Sequence, residues 1–257
     1  MKPIAFFLLV TSLINGSDCC CLPAPNTLSI GPEFYQVHRT REGGTVQNGW
    51  ISAGRATYDR IKAFGMYWGA NALYGIGPLK GHTGFGDEIK STFKDYQIEA
   101  RVGFTFQTVK WIQPYITPFI GIGYRKEYNN FHEPSPLVLN FETKYPYGAF
   151  GVLSGVNICP QFSIGLNFKG EVMYDARCDV TGDQEMEDFT LLINDDWNYR
   201  IELPIIYRFC RCASGFEMQL TPFYEHRHYG GRENYPFDYI DTKLMLWGFN
   251  LLLSYRF

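Results

Sequence analysis

The chain has 257 residues, a formal net charge of −3, 17% aromatic and 19% charged residues, and 26 glycines. All-β barrels commonly fill about 250 residues as a single unit, and this composition suits many strands and turns. The charge balance excludes a polyanion-binding face, so no nucleic-acid partner is expected, and no apolar run reaches the ~20 residues of a membrane helix.

Lys2, the apolar run Ile4–Val10 and the small or polar Asn15, Gly16 and Ser17 make the three-part pattern of a secretory signal. Residues 1–16 are therefore read as a signal peptide, 17–27 as a periplasmic segment carrying cysteines, and 28–257 as the mature fold.

From there the chain repeats one pattern. Large apolar residues alternate with polar or charged ones, the period of a strand whose two faces meet different surroundings. Leu28–Arg39, Trp50–Asp59 and Phe64–Tyr74 show it weakly, and Tyr96–Phe106 clearly: Tyr96, Ile98, Ala100, Val102, Phe104 and Phe106 oppose Gln97, Glu99, Arg101 and Thr105. Tyr115–Tyr124 and Tyr145–Asn157 are weak again. Phe162–Tyr174, Trp197–Phe209, Phe216–His228 and Met245–Phe257 are strong, and the last puts seven large apolar residues on one face. Such lengths exceed the five or six residues usual in soluble strands and suit tilted strands that cross a bilayer in roughly nine to eleven.

Ten strands result, joined alternately by short and long connections. RIKAF, TVKWIQP, NICPQ and FCRCASG are short. Lys80–Ser91, Arg125–Lys144 and Ala176–Asp196 read as long loops, with Glu42–Gln47 the short exception. Short periplasmic turns and longer outside loops are the habit of outer-membrane barrels. The fold expected is an all-β, antiparallel, up-and-down transmembrane barrel of ten strands, with eight or twelve as alternatives and a secreted lipocalin-like barrel or sandwich as its rival. Pro32, Pro118, Pro204 and Pro222 fall inside these strands, where proline suggests bulges at one height.

The ending resembles the C-terminal signature of bacterial outer-membrane barrels, with Asn250 at its polar position, Tyr255 and Phe257 at its last two, and Leu252 in place of its glycine. In that family the motif is read by the barrel assembly machinery. GPEFYQVHRTREGG, TPFIGIGYRKEYNNF and FYEHRHYGGRENYPFDYIDTKL are similar to uncharacterised outer-membrane proteins of chlamydia-like bacteria. The resemblance implies a bacterial outer-membrane location, with outer-membrane lipid and the assembly machinery as partners.

On such a barrel the charged face points into the lumen, and its charges come in both signs. Arg55 and Asp59, Glu99 and Arg101, Lys169 and Glu171, Arg200 and Glu202, and Glu225 and Arg227 are the expected network. If Phe209 faces Phe216 across the FCRCASG turn, Arg208 falls opposite Glu217 and Arg200 opposite Glu225. Ten strands lie near the closed end of barrel sizes, so the interior is expected to be occluded and salt-bridged.

Ten is also the strand number of omptin-like surface proteases, whose chemistry uses Asp and His pairs at the outer rim. Rim candidates here are His226, His228, Asp238 and Asp241, with Asp195 and Asp196 on another loop. No omptin motif accompanies them, no third ligand gives the histidines a metal-binding spacing, and the NDD and DYID clusters lack an ordered calcium loop. No enzyme activity, metal or cofactor is expected. A rim protease, a lipid-modifying enzyme and a narrow channel are the alternatives to a structural or adhesin-like surface protein with a host or surface ligand. Among seven cysteines, Cys19, Cys20, Cys21, Cys159, Cys210 and Cys212 are expected on the periplasmic side. Intrachain disulfides and cross-linking to other envelope proteins are both open readings of them.

Overall fold

The computed structural model describes residues 25–108, 114–136, 138–182, 187–209 and 215–257. Six long strands come first: β1 (Asn26–Arg41), β2 (Thr45–Arg60), β3 (Phe64–His82), β4 (Glu88–Gln107), β5 (Tyr115–His132) and β6 (Asn140–Cys159). Three short strands, β7 (Phe162–Gly165), β8 (Asn167–Met173) and β9 (Arg177–Thr181), lie end to end as the seventh stave. The eighth is β10 (Phe189–Leu192), β11 (Trp197–Glu202) and β12 (Ile205–Arg208), followed by β13 (Phe216–Tyr229) and β14 (Thr242–Arg256). Every pairing is antiparallel, and β14 pairs with β1 to close a ring of ten staves. Both ends of the described chain meet at one rim, where Asn26 and Phe257 exchange backbone hydrogen bonds of 3.2 and 3.0 Å. We call this the near end and the opposite rim the far end.

The expected fold is observed, and the described strand ends bracket the expected short turns, of which TVKWIQP and FCRCASG lie largely outside the described residues. The long loops do not fall where the sequence put them. β3 runs on to His82 and β4 begins at Glu88, and β5 reaches His132 before β6 starts at Asn140. The third stretch carries β9 and β10, and the β1–β2 connection shrinks to Glu42, Gly43 and Gly44, both glycines at positive φ. β1 starts at Asn26, two residues before the expected boundary. A strand of 20 residues such as β4, at ~3.3 Å per residue and ~40° tilt, rises about 50 Å, twice the ~25 Å apolar band of such barrels.

The prolines make no belt of bulges. The β1–β14 ladder skips Gly31 and Pro32 and resumes in phase, with Ile30 opposite Leu253 and Glu33 opposite Asn250. At Pro118 the β4–β5 ladder likewise resumes without a slip. Pro204 separates β11 from β12, yet both keep one register on β13, and Pro222 sits in an unbroken ladder opposite Phe249. A missing N–H removes one rung without adding a residue, so the alternation of faces survives. The register does shift between Asn157 and Cys159, where β6 meets β7. It shifts again near Asp175, where three steps of β6 (Lys144 to Tyr147) face four (Met173 to Arg177).

Along each long strand the polarity of the two faces inverts. In the near half the outward residues are apolar and exposed, among them Leu28, Ile30, Phe34, Met66, Trp68, Ile98, Ile120, Ile122, Leu251 and Leu253, while most of the inward ones are polar or charged and buried. Ile122 is 73% exposed, an arrangement only a lipid surround makes favourable. Above Trp50 and Trp247 the outward residues become His38, Asn48, Lys80 and Lys90, paired across the strands. There the inward residues are Val37, Leu79, Ile89, Phe93, Leu244 and Leu246, all buried. The far half is thus a water-bathed barrel with its own apolar core. At the near end Tyr67, Phe119 and Leu153 pack together as a smaller apolar layer.

Candidate functional site

Between the two apolar layers lies an ionic one. Glu225 on β13 accepts from three guanidinium groups: Arg125 at 2.7 Å, Arg227 at 2.7 Å and Arg200 at 2.9 Å. Arg227 also reaches Asp95 at 2.8 Å and Glu127 at 2.5 Å. Arg200 reaches Glu33 at 3.3 Å and Glu202 at 2.7 Å, with its guanidinium 3.6 Å from the Phe223 ring centroid. Arg55 bonds Glu33 at 2.5 Å and Asn71 at 2.9 Å, and Lys169 bridges Glu99 at 3.0 Å and Glu171 at 2.7 Å. Arg101 pairs with Glu99. Tyrosine hydroxyls complete the carboxylates: Tyr35 donates to Asp95 at 3.1 Å, Tyr147 to Glu99 at 2.8 Å and Tyr229 to Glu127 at 2.6 Å.

β5 and β13 stand four staves apart in the ring of ten, so the bonds from Arg125 to Glu225 and from Arg227 to Glu127 cross the lumen. Arg125 is 0% and Arg227 1% exposed. Each cation of this layer has a carboxylate partner, as a low-dielectric interior demands. Tyr147 fits because position 123 is glycine: a Cβ there would lie 2.2 Å from its ring.

The expected lumen residues therefore meet, with one correction. Arg55 turns to Glu33, and Asp59 instead accepts a 2.6 Å bond from Tyr67. The two cross-strand pairs expected from the FCRCASG register are present, Arg208 with Glu217 at 3.0 Å and Arg200 with Glu225 at 2.9 Å. Sequence reasoning missed Glu33, Asp95, Arg125 and Glu127. Arg125 and Glu127 fall in a stretch that the sequence pattern reads as a loop, and Asp95 stands one residue before a predicted strand. Their parity was the available signal: Asp95 continues the series Gln97, Glu99, Arg101.

At the far rim the histidines face outward. His228 has Nδ1 2.5 Å from Asp196 and Nε2 2.7 Å from Asp241, so it ties the start of β11 to that of β14. His226 stacks on Tyr199 at 5.3 Å. Asp195 and Asp238 accept from backbone N–H groups of Ala176 and Asn234. Both imidazole nitrogens of His228 are engaged by carboxylates, and the lumen lies behind the strand. Among the described residues, no group of three His, Cys, Asp or Glu side chains could hold a metal ion.

Asn250 points inward, buried beside Glu33 at 3.4 Å, whereas Tyr255 and Phe257 stack outward with centroids 6.0 Å apart. Cys159 ends β6 at the near rim as a free thiol. Cys19, Cys20, Cys21, Cys210 and Cys212 lie outside the described residues.

No protein-family model matches the chain, and no curated protein matches it. Solved structures do. The outer-membrane protease OmpT from Escherichia coli aligns with a TM-score of 0.53 at 10% identity, over 93% of this chain and 100% of that one. The translocator domain of the autotransporter NalP from Neisseria meningitidis aligns at 0.46 and 11% identity, over 98% and 94%. The outer-membrane protein OprG from Pseudomonas aeruginosa aligns at 0.40 and 10%, over 91% and 97%. In architecture the chain shares the closed, antiparallel fold of the outer-membrane β-barrel OmpT, and its exposed apolar exterior is the lipid-facing band that such a fold carries.

Proposed function

We propose that this barrel is a closed structural and surface-interaction component of the envelope, neither channel nor enzyme, with its near end in the periplasm and its far end outside the cell. The apolar tips beyond the lipid band carry the interaction reading. Phe85, at the turn between β3 and β4, is 99% exposed and Tyr235, between β13 and β14, 92%, with Phe237 and Ile240 beside it also exposed. Side chains of this kind in water favour contact with a partner surface. The three filled layers of the lumen argue against conduction, and the double engagement of His228 argues against a general base at the rim.

The test uses beads coated with nanodiscs of the refolded protein and a monolayer of cultured epithelial cells. Bead adhesion is expected, with a loss of at least tenfold for the triple variant Phe85→Ser/Tyr235→Ser/Phe237→Ser. Equal adhesion of that variant, or of empty nanodiscs, would remove the interaction reading. Cross-linking through the cysteines is a separate part of the proposal. Envelope extracts run without reductant should show bands above the monomer that collapse on reduction, and a solely monomeric band would exclude the network.

A further inference from the structure

The ionic layer pairs its cations, and the far mouth of the same lumen does not. Arg39 and Arg41, inward-facing at the top of β1, have no carboxylate within salt-bridge distance among the described residues. Arg39 is 5% exposed, its one side-chain hydrogen bond is a long 3.4 Å to Gln47, and its Nε has no partner. The Nε of Arg41 is buried without a partner as well, and so is the hydroxyl of Tyr239 nearby. Their other neighbours among the described residues are neutral: Gln47 bonded to Ser91 at 2.8 Å and to Asn129 at 3.2 Å, the Cys178 thiol, and Phe141, whose ring centroid lies 5.0 Å from the Arg41 guanidinium.

A buried, unpaired guanidinium such as that of Arg39 costs several kcal/mol unless something neutralises it, and the half-buried Arg41 adds a second unpaired cation beside it, where the next layer down shows the fold well able to place carboxylates. Burial and the Arg39 charge push the Arg41 guanidinium down to about 10, the direction expected when a counter-charge is missing. The Arg41 guanidinium lies over the Phe141 ring and its Nε has no partner, and a guanidinium can grip an oxyanion through two parallel bonds.

We propose that the far mouth of the barrel binds an oxyanion, a phosphate or sulfate group held by Arg39 and Arg41 with the Tyr239 hydroxyl as a further donor. The group comes either as the free ion or as a substituent on a surface glycan. Partners are then recruited by charge at the mouth as well as by the apolar tips, and the proposal stands without the adhesion reading.

Isothermal titration of the refolded protein in detergent, at constant ionic strength, separates the sources. The probes are inorganic phosphate, inorganic sulfate, a sulfated disaccharide, the same disaccharide without sulfate, and chloride. Binding of phosphate or sulfate assigns the free ion; binding of the sulfated disaccharide alone assigns the glycan substituent. The affinity should fall at least tenfold in Arg41→Gln and Arg39→Gln and stay unchanged in Lys243→Gln, which removes an outward charge at similar height. Without an added anion, either arginine variant should unfold at a urea midpoint no lower than that of the parent, because an uncompensated charge has gone. If a variant fails to refold, the parent alone decides through oxyanion against chloride. Equal heats for chloride, no binding of any oxyanion probe, or undiminished binding in Arg41→Gln overturns the proposal.

Discussion

Glu225→Gln is the sharpest perturbation of the ionic layer, since one carboxylate serves three guanidinium groups at 2.7, 2.7 and 2.9 Å. Arg227 keeps Asp95 and Glu127, and Arg200 keeps Glu33 and Glu202. Arg125 is left with Glu171 at 3.5 Å, so it bears most of the loss. Removing one partner of a buried pair costs about 3–5 kcal/mol. The glutamine carbonyl still accepts one bond, which places the effect near the lower bound, at about 3 kcal/mol. Urea unfolding in lipid vesicles, followed by tryptophan emission, reads it. With a slope of ~2–3 kcal/mol per molar urea the midpoint drops by about 1–1.5 M. The double variant Glu225→Gln/Arg125→Met removes the stranded charge together with its partner and should recover about 2 kcal/mol relative to additivity. A loss below about 0.5 kcal/mol in the single variant, the scale of a solvated pair, would show that water fills the lumen and screens these charges.

Gly123→Ala should displace the Tyr147 ring from Glu99 and Gln97 and cost about 1–3 kcal/mol in the same assay; an unchanged midpoint would contradict the close seat of Tyr147 against position 123. In planar bilayers the protein should give no steady conductance, and resolved channel steps would refute the filled lumen. A variant retaining Cys178 as its sole cysteine should resist maleimide at pH 8, because burial raises that thiol to about 11. The folded state holds the proton more tightly than the unfolded chain. This contribution to stability is therefore complete below the usual thiol pKa of ~8.5 and is lost as pH climbs towards about 11. Rapid labelling at pH 8 would place Cys178 on an exposed face.

The near half of the barrel was legible because lipid outside and ions inside impose opposite demands on alternate residues. From Tyr96 to Phe106 that contrast is complete, and one turn length was enough to pair Arg200 with Glu225. The far half was not legible by the same rule. Beyond Trp50 and Trp247 the surround becomes water, the outward positions become Lys80, Lys90 and Lys126, and the apolar residues move inside. The alternation continues with its phase reversed, and a search tuned to apolar-out reads such stretches as loops. Arg125, Glu127 and Asp95 were lost from the network at that boundary. Proline was over-read for a related reason: a ladder tolerates a missing donor when no residue is inserted, so Pro32, Pro118 and Pro222 mark absent or weakened rungs and leave the faces unchanged.

Quenching of tryptophan emission tests the lipid-outside, ions-inside arrangement most directly. Trp50, Trp68, Trp197 and Trp247 all stand exposed on the outer wall. In vesicles of phospholipid brominated along the acyl chains most of the emission should disappear, while aqueous iodide should remove little. Efficient quenching by iodide with no response to the brominated chains, from a protein that stays monomeric in water without detergent, would contradict the account.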